Sequence, residues 1–477
     1  MFDINEFLTK LKSLCIAPAG HGKTYKIAEC LKYTNGTHLV LTHTNAGVSS
    51  LKDKIRKNGL SSAKYQIETI DSFAQKYVDA FYCGGDIPEQ DNAKMYFSFI
   101  IQKATVLVKL KPIKDVLKFS YSGLFVDEYQ DCTKKQHQFI MALANIFPIH
   151  VFGDPLQGIF GFNEEQLVNW GPDLKEFENS RFELVEPWRW KNTNPELGES
   201  LKKVRGKLEN KELVDLNLFK KGIEVYIIED KNDIFRPLKE YYRKIDCLLD
   251  TESSLLLVYP DSANLNARKK IVKVFNNRLN LVEAMDGKDF YYFSKLFDSR
   301  NSMSIYELIL KIIYNIFNKS ELDKWFTESK VKSKRKEKDK DIIMPIVENL
   351  DRIKNDGSYT IISNILKQIK GIPDLKCYRR ELFSDLCKAL EQADIQKISV
   401  FEAMKNIRNV KRRMGRKIEG KCIGTTLLTK GLEFGTVVVL NANEFKCPKN
   451  LYVALTRASK KLVVFANNAI LSPYNIR

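Results

Sequence analysis

The sequence APAGHGKT, residues 17–24, decides the fold class of this chain. It follows the short apolar run LCI at residues 14–16 and precedes a helical pattern that begins at Tyr25. It matches the phosphate-binding pattern GxxxxGK[ST], except that Ala17 stands in place of the first glycine. In such a strand-to-helix turn, backbone N–H groups and the helix N-terminus surround a triphosphate. The pattern therefore predicts a nucleotide-binding α/β domain, and a chance glycine-rich turn is the less favoured alternative.

Each position of this turn has a predicted role in binding ATP and Mg²⁺. Gly20 and Gly22, together with Ala17, let the backbone approach the phosphates closely. The Lys23 ammonium is expected to reach the β- and γ-phosphates. The Thr24 hydroxyl is expected to ligate Mg²⁺. These five residues are the predicted cofactor contacts of the turn.

An acidic sequence provides the expected second ligand for the metal ion. VDEYQD at residues 126–131 ends the apolar run of residues 124–126. At such a strand end, Asp127 is predicted to hold Mg²⁺ together with Thr24, and Glu128 to polarise the attacking water. The alternative is a polar strand end without catalytic function, which the phosphate-binding turn in the same chain disfavours.

Length and composition indicate a globular protein of several domains. The 477 residues correspond to two to four domains at about 100–200 residues each. Apolar residues at 44% and charged residues at 29% exclude a mostly disordered chain. No apolar run reaches the ~18 residues of a membrane span, and the N-terminal MFDINEFLTK lacks the basic flank of a signal peptide. Nine scattered cysteines without a CxxC pair favour reduced thiols in a cytoplasmic protein.

The formal net charge of +18 suits a polyanionic partner without identifying one. Such a balance fits nucleic acid, but ordinary soluble proteins also show it. The sequence KNIRNVKRRMGRK at residues 405–417 is a dense basic cluster. It is either a helix that follows DNA phosphates or an amphipathic helix with a solvated basic face.

The order of apolar runs and helical stretches predicts two α/β domains with helical insertions. Residues 1–180 alternate strand, turn and helix, apart from a helical insertion at about residues 74–120. Strand patterns return in residues 181–300 and 418–477, which we assign to a second α/β domain. Helical patterns rich in Lys and Asn fill residues 301–417 and predict a subdomain inserted into that second domain.

Further motifs, taken with the turn and the DEYQD sequence, resemble those of superfamily 1A DNA helicases of the UvrD/Rep/PcrA type. In the first half they are THTNA at residues 42–46, TIDSF at 69–73 and GDPLQGIFGF at 153–162. After residue 180 they are LVEPWR at residues 184–189, TTLLTKGLEF at 425–434 and YVALTRA at 452–458. The resemblance covers nearly the whole chain. It implies two RecA-like P-loop NTPase domains, 1A and 2A, each with a reduced, mainly helical inserted subdomain, 1B and 2B.

The resemblance also implies roles for residues outside the phosphate-binding turn. Gln157 would sense the γ-phosphate, and Arg189 and Arg457 would contact it from the second domain. The Trp188 indole would stack on the nucleotide base, with a buried structural tryptophan as the alternative. The implied catalytic residues are Lys23, Asp127, Glu128, Gln157, Arg189 and Arg457. The implied nucleotide contacts in the second half are Trp188, Gly431 and Glu433, the last of them near the ribose.

A third set of residues is implied in binding single-stranded DNA. These residues are Thr42, His43, Asn45, Ser72, Phe73, Phe162 and Thr425. Phe162 stands where the family has a tryptophan that stacks on a base, and a buried core phenylalanine is the alternative. For His43, the alternative is a surface histidine without a DNA contact.

The implied function is DNA-dependent hydrolysis of ATP coupled to translocation on single-stranded or partly duplex DNA, with 3′-to-5′ unwinding left open. No glutamine precedes Ala17, so other NTPs are also candidate substrates. The short chain resembles the UvrD-like subunit of the Gabija anti-phage system. That resemblance implies antiviral defence with an OLD-type ATPase–TOPRIM nuclease as a partner subunit. The alternative function is a nucleotide-gated sensor of DNA ends or single strands that activates such a nuclease without unwinding.

Overall fold

The computed structural model describes residues 2–90, 92–159, 166–260, 264–282, 288–299, 304–334, 336–414 and 418–474. The chain divides into two compact units. The first unit consists of Met1–Ile271 and Arg412–Arg477, and the second of Val272–Lys411. The finer domain boundaries expected from the sequence stay a prediction.

Six parallel strands form the first sheet. They are β1 (Lys12–Ile16), β2 (His38–Thr42), β3 (Tyr65–Thr69), β4 (Gly123–Val126), β5 (Ile149–Gly153) and β6 (Arg181–Glu183). Their spatial order is β3-β2-β4-β5-β1-β6. Leu14 of β1 pairs with Val151 of β5 and with Arg181 of β6. Every residue of β2, β4 and β5 is buried, as expected of a parallel sheet that is covered on both faces.

Helices alternate with these strands, and three of them form the insertion before β4. The helices are α1 (Ile4–Thr9), α2 (Lys23–Lys32), α3 (Asn45–Lys57), α4 (Ile70–Phe81), α5 (Ala93–Leu107), α6 (Lys111–Ser120) and α7 (Lys134–Ala144). Ile100 of α5 and Leu117 of α6 belong to the same buried cluster as Leu39 and Leu124 of the sheet. The insertion therefore shares its hydrophobic core with the first sheet.

After β6 the chain forms a second six-stranded sheet and a separate two-stranded sheet. The strands are β7 (Val214–Asp215), β8 (Glu224–Ile227), β9 (Leu255–Tyr259), β10 (Asn280–Leu281), β11 (Lys421–Thr425), β12 (Phe434–Val439), β13 (Ala458–Ala466) and β14 (Ile470–Leu471). Five strands of this sheet belong to the first unit, pair in parallel and follow the order β11-β9-β12-β13-β8. Strands β7 and β14 pair in antiparallel orientation.

Helices follow β6 in both units. They are α8 (Pro195–Glu209), α9 (Glu240–Thr251), α10 (Leu265–Val274), α11 (Lys288–Ser299), α12 (Ile305–Ile316), α13 (Lys319–Trp325), α14 (Glu337–Asp356), α15 (Tyr359–Lys370), α16 (Arg380–Gln396), α17 (Val400–Met414), α18 (Thr426–Thr429) and α19 (Pro448–Leu455). None of the helices in the described ranges has the length and apolar character needed to cross a membrane.

The two sheets confirm the predicted α/β class and have the architecture expected of two RecA-like domains. In the first sheet β4, β5 and β1 are neighbours, so their carboxyl ends lie side by side. The loops that follow these three strands carry the DEYQD sequence, the GDPLQ sequence and the phosphate-binding turn. In open parallel sheets, ligands bind at this edge.

The second unit is helical and contains a buried ion-pair network. Arg408 of α17 is fully buried, and its Nη1 donates to Asp385 Oδ2 at 2.7 Å and to Glu381 Oε1 at 3.1 Å. Lys411 Nζ lies 2.6 Å from Asp385 Oδ1, and the Arg408 guanidinium lies 4.0 Å from the centre of the Phe290 ring. Two cations of the basic cluster at residues 405–417 therefore neutralise carboxylates inside this unit. Their position is that of an amphipathic helix that contributes to a core.

Candidate nucleotide site and nucleic-acid motifs

The phosphate-binding turn connects β1 to α2. Gly20 and Gly22 have φ angles of 76° and 82°, a left-handed conformation that glycine adopts without steric cost. A side chain at position 20 would also overlap the ring of Trp190, whose Nε1 donates to Ala458 O at 2.8 Å. Ala17 N donates to Gly153 O at 2.9 Å, which attaches the turn to the end of β5. The local backbone thus has the curled form that a phosphate-binding turn requires.

Lys23 lies at the N-terminus of α2 and faces both carboxylates of the acidic sequence. Its Nζ is 2.7 Å from Glu128 Oε1 and 3.5 Å from Asp127 Oδ1. Burial lowers the pKa of Lys23, but the charges of Glu128 and Asp127 outweigh burial and raise it above its ordinary value. Lys23 is therefore a buried, protonated amine at the centre of the turn, positioned to contact a phosphate.

The two carboxylates of the acidic pair differ in backbone geometry and in the direction of their pKa shifts. Glu128 has φ 57° and ψ 38°, an uncommon conformation for a residue other than glycine, and such backbone strain occurs at functional sites. Burial raises the pKa of Asp127. Burial also acts to raise the pKa of Glu128, but Lys23 and Lys430 outweigh it and lower the pKa, so Glu128 stays ionised. Gln130 Nε2 donates to Glu128 Oε2 and holds this carboxylate in place.

The donor set of this region fits a nucleotide with Mg²⁺. Thr24, Asp127 and Glu128 line a cleft with about 380 Å³ of empty space, part of which is open to solvent. Mg²⁺ prefers oxygen ligands, and in nucleotide sites one or two protein oxygens and the phosphates hold it. The Thr24 hydroxyl and the Asp127 carboxylate are such oxygens, and Lys23 supplies the adjacent positive charge.

Gln157 links the first sheet to Arg457. It ends the short turn after β5, and its Nε2 donates to Asp154 Oδ2 at 2.8 Å. Its Oε1 accepts from Arg457 Nη2 at 3.2 Å. Arg457 precedes β13 and is itself held by Val453 O, which accepts from its Nε at 2.9 Å. Gln157 and Arg457, both predicted to act at the γ-phosphate, therefore lie in direct contact.

Arg189 and Glu433 form a second charged pair at the site. Arg189 Nε lies 2.9 Å from Glu433 Oε2, and the charge of Arg189 lowers the pKa of Glu433. The backbone N–H of Arg189 donates to Gly20 O at 2.9 Å, so this arginine is attached to the phosphate-binding turn. The neighbouring Trp188 is 53% exposed. A Cβ placed on Gly22 would lie 3.4 Å from Trp188 Cδ1, so an exposed indole face lies beside the turn.

Three residues that were not predicted as site residues contact the predicted ones or residues of the same loops. The Lys430 ammonium donates to Asp131 Oδ2 and to Gln157 O. Arg205 Nη1 lies 2.7 Å from Asp154 Oδ1, and Tyr452 OH accepts from Ala19 N at 3.3 Å. Lys430 and Tyr452 lie within the quoted TKGLEF and YVALTRA sequences, so motif position could have indicated them. Arg205 lies in α8 outside every motif, and no sequence signal identifies it.

The cleft extends from the nucleotide side to the THTN sequence. Besides the residues of the acidic pair, its lining includes His43, Thr44, Lys430 and Gly431. Gly431 has φ 79°, and a Cβ on it would lie 3.7 Å from Thr44 Oγ1. His43 Nε2 lies 3.3 Å from Cys132 Sγ, and burial lowers the pKa of His43 to about 3. The neutral His43 therefore lies next to the acidic sequence, in the cleft that Thr24 also lines.

Three of the predicted DNA contacts do not present their side chains to solvent. Phe73 is fully buried in the core of the first sheet, where its ring lies 5.0 Å from that of Tyr77. The Phe73 ring therefore packs in the core of the first sheet and is not exposed for stacking on a base, and its role as a DNA contact stays a prediction. Thr42 and Thr425, at the ends of β2 and β11, are likewise buried and do not expose a hydroxyl for a direct contact.

The other predicted DNA contacts have mixed positions. Asn45 begins α3, and its side chain is partly buried. Ser72 Oγ accepts a hydrogen bond from Thr69 Oγ1 at 2.8 Å in the first turn of α4. Phe162, predicted to stack on a base, lies outside the described residues. The structure therefore brings the nucleotide residues together more closely than the DNA residues.

Comparison with known proteins supports the helicase resemblance. Residues 87–177 match the family described as UvrD/REP helicase N-terminal domain. An ATP-dependent helicase/nuclease subunit of Lactococcus lactis subsp. lactis (strain IL1403) is 30% identical over 113 residues. That alignment covers 23% of this chain and 9% of the relative, so the chain spans a small part of the length of that protein. These matches confirm the predicted similarity to helicases of the UvrD/REP type over the matched part of the chain.

A solved structure extends over more of the chain at lower similarity. It is described as "Structural Basis for DNA Unwinding at Forked dsDNA by two coordinating Pif1 helicases". The two sequences are 12% identical, and the superposition has a TM-score of 0.36. The aligned region covers 98% of this chain and 91% of the solved chain.

Proposed function

We propose that this chain is a DNA-dependent NTPase of the UvrD type that hydrolyses ATP between two α/β halves and moves along single-stranded DNA. One observation carries the proposal. Lys23 and the acidic pair, which follow strands of the first sheet, lie in the same site as Arg189, which follows β6, and Arg457, which precedes β13 of the second sheet. Cations from both halves around one phosphate-binding turn are the arrangement in which closure of the halves completes a hydrolytic site.

Hydrolysis would use the residues in distinct roles. Mg²⁺, held by Thr24 and Asp127, would neutralise charge on the β- and γ-phosphates. Lys23 would exchange its contact with Glu128 for a phosphate oxygen, since both compete for the same ammonium. The freed Glu128 carboxylate would then orient a water molecule and accept its proton. The lowered pKa of Glu128 keeps the carboxylate ionised, which is the state that a proton acceptor requires.

The second half would contribute charge and base binding. Arg457 and Arg189 would stabilise the negative charge that develops on the transferred phosphoryl group. The exposed face of Trp188 would stack on the base, a contact that every nucleobase can make. Because stacking does not depend on the hydrogen-bonding edge of the base, this contact supports an NTPase that tolerates different bases.

Coupling to DNA would pass through the cleft that the nucleotide residues share with the THTN sequence. Lys430 contacts Asp131 and Gln157 through its side chain, and Gly431 lies beside Thr44. A movement of the TKGLEF segment would therefore act on both the γ-phosphate side and the predicted DNA side. This connection supports stimulation of hydrolysis by single-stranded DNA.

The proposal is tested by NTPase rates with and without single-stranded DNA, measured together with strand displacement. Lys23→Ala removes the central ammonium, and Lys32→Ala in the same helix removes an exposed one as a matched control. We expect DNA-stimulated hydrolysis for the wild type and for Lys32→Ala, and none for Lys23→Ala. Hydrolysis that does not respond to DNA would contradict the proposal. Stimulated hydrolysis without displacement would favour the sensor function over the unwinding motor.

We further propose that the chain acts in anti-phage defence with a separate nuclease subunit. The support is the resemblance of its short motif series to the UvrD-like Gabija subunit, and the partner would be an OLD-type ATPase–TOPRIM nuclease. The test is phage plating on cells that express this chain, the nuclease, or both. Protection only with both proteins, and its loss with Lys23→Ala, is the expected result. Equal plating with and without this chain would contradict the proposal.

A further inference from the structure

Arg205 is a buried cation that none of the motifs contains. It lies in α8 and is 8% exposed. Its Nη1 faces both oxygens of Asp154, at 2.7 Å from Oδ1 and 2.8 Å from Oδ2, and its Nη2 lies 2.7 Å from Glu209 Oε1. Asp154 has no solvent exposure. A buried carboxylate is stable only with a counter-charge, and Arg205 supplies that charge.

Asp154 in turn determines the orientation of Gln157. Its Oδ2 accepts from Gln157 Nε2 at 2.8 Å, and its Oδ1 accepts from Leu156 N at 3.2 Å. Because the Gln157 amide nitrogen is bound to Asp154, its Oε1 faces Arg457, from which it accepts at 3.2 Å. The residue predicted to sense the γ-phosphate is therefore oriented by a carboxylate whose charge Arg205 balances.

The same group also lies next to the phosphate-binding turn. Arg205 Nη1 donates to Tyr452 OH at 3.3 Å, and that hydroxyl accepts from Ala19 N at 3.3 Å. The negative charge of Asp154 acts on two residues of the turn. Burial lowers the pKa of His21 and Asp154 opposes that shift, while for Lys23 burial is outweighed by Glu128 and Asp127, to which Asp154 adds, so that the pKa is raised. An uncompensated Asp154 would therefore place negative potential where a triphosphate binds.

We propose that Arg205 is a positioning residue for nucleotide hydrolysis, which neutralises Asp154 so that Asp154 orients Gln157 without repelling the triphosphate. The inference rests on the proposed NTPase function. Arg205 acts through Asp154 and does not itself contact the nucleotide. Its contact also joins α8, which follows the Trp188–Arg189 segment, to the loop after β5. Gln157 is therefore held in its working orientation only while these two parts of the chain are in contact.

The test compares Arg205→Met, Arg205→Lys and the double variant Asp154→Asn/Arg205→Met. Arg236→Met, at an arginine that is 56% exposed and paired with Asp233, is the matched control. Steady-state kcat and KM for ATP are measured with saturating single-stranded DNA, and thermal unfolding reports the folded state. For Arg205→Met we expect kcat/KM to fall about 10- to 100-fold, the value of a hydrogen bond to a charged group, with a raised KM.

The double variant separates electrostatics from packing. Asn at position 154 still accepts from Gln157 but carries no charge, so we expect the double variant to recover a KM close to that of the wild type. Arg205→Lys retains the counter-charge and should also keep a KM close to that of the wild type. If Arg205 acted only through the packing of its side chain, the KM of the double variant would not recover, because the double variant lacks the Arg205 side chain just as Arg205→Met does.

Two results would overturn the inference. The first is a folded Arg205→Met protein with the kcat and KM of the wild type. The second is a double variant whose KM is as high as that of Arg205→Met. If Arg205→Met does not fold, Arg205→Lys decides, and a rise in its KM of more than about tenfold would refute the role. A wild-type chain with no more NTPase activity than Lys23→Ala would instead contradict the proposed function itself.

Discussion

Replacing Arg457 by alanine tests how the second half of the site contributes to hydrolysis. The Arg457 guanidinium is 3% exposed and is held by Val453 O, at 2.9 Å from its Nε, and by Leu432 O, at 3.2 Å from its Nη1. Its Nη2 points at Gln157 Oε1. Burial lowers the pKa of Arg457 to about 10, so the guanidinium remains protonated at neutral pH. The side chain is thus a fixed positive charge aimed at the expected position of the γ-phosphate.

The magnitude of the effect follows from this geometry. A unit charge about 4 Å from a developing negative charge contributes about 4 kcal/mol at an effective dielectric constant of about 20. At about 1.36 kcal/mol for each factor of ten, Arg457→Ala should lower kcat about 10³-fold. Arg457→Lys retains the charge but cannot replace the guanidinium contacts to both backbone carbonyls and to Gln157, so it should recover only part of the rate.

The assay is steady-state hydrolysis with saturating single-stranded DNA, together with DNA binding by fluorescence anisotropy. DNA affinity should remain close to that of the wild type, because Arg457 is buried away from solvent. Arg236→Ala, which removes a half-exposed arginine, is the control and should leave kcat unchanged. A folded Arg457→Ala protein that retains a kcat within about tenfold of the wild type would refute the role of Arg457.

Three further predictions concern the turn, the acidic pair and the basic helix. Gly20→Ala should abolish binding of a fluorescent nucleotide, because position 20 has φ 76° and faces the Trp190 ring. Gly206→Ala is the control. Position 206 faces open space within α8, so this change should raise the free energy of unfolding by about 0.5–1 kcal/mol in chemical denaturation. Glu128→Gln should bind nucleotide but lose at least about 10²-fold in single-turnover hydrolysis, and retained turnover would exclude Glu128 as the base. Neutralising Arg412 and Arg413 should reduce the slope of log K for DNA binding against log salt concentration by about 0.9 for each phosphate contact that is lost. An unchanged slope would leave only the amphipathic-helix interpretation.

The central strands of the first sheet could be predicted from the sequence, but its edges could not. The apolar runs at residues 14–16, 39–41, 124–126 and 150–152 lie in β1, β2, β4 and β5. These strands are buried on both faces, so they read as continuous apolar runs. Strands β3 and β6 are at the two edges of the sheet and are only partly buried. They therefore lack the apolar run that identifies a strand in the sequence.

Motif position indicated residue types correctly but not the direction in which each side chain points. Phe73 lies in the TIDSF sequence, yet its ring packs in the core beside Tyr77. A sequence motif contains residues that bind a ligand and, next to them, residues whose side chains only pack in the core, and the sequence does not separate the two kinds. The basic cluster shows the same, because the buried Arg408 and the partly exposed Lys411 both contact the buried carboxylate of Asp385. Charge along a sequence does not distinguish a binding face from a compensated core.

The sequence by itself determined the fold class and the position of the phosphate-binding turn. Both depend on local properties, namely apolar strand patterns and glycines that adopt left-handed φ angles at residues 20 and 22. Only the tertiary structure decided which charges balance one another. Arg205 and Asp154 are 51 residues apart, Lys430 and Asp131 are 299 residues apart, and each pair forms only when the sheets bring distant segments together. Burial makes these pairings obligatory, because a charge removed from water requires a partner, and the identity of that partner follows from the packing of the folded chain.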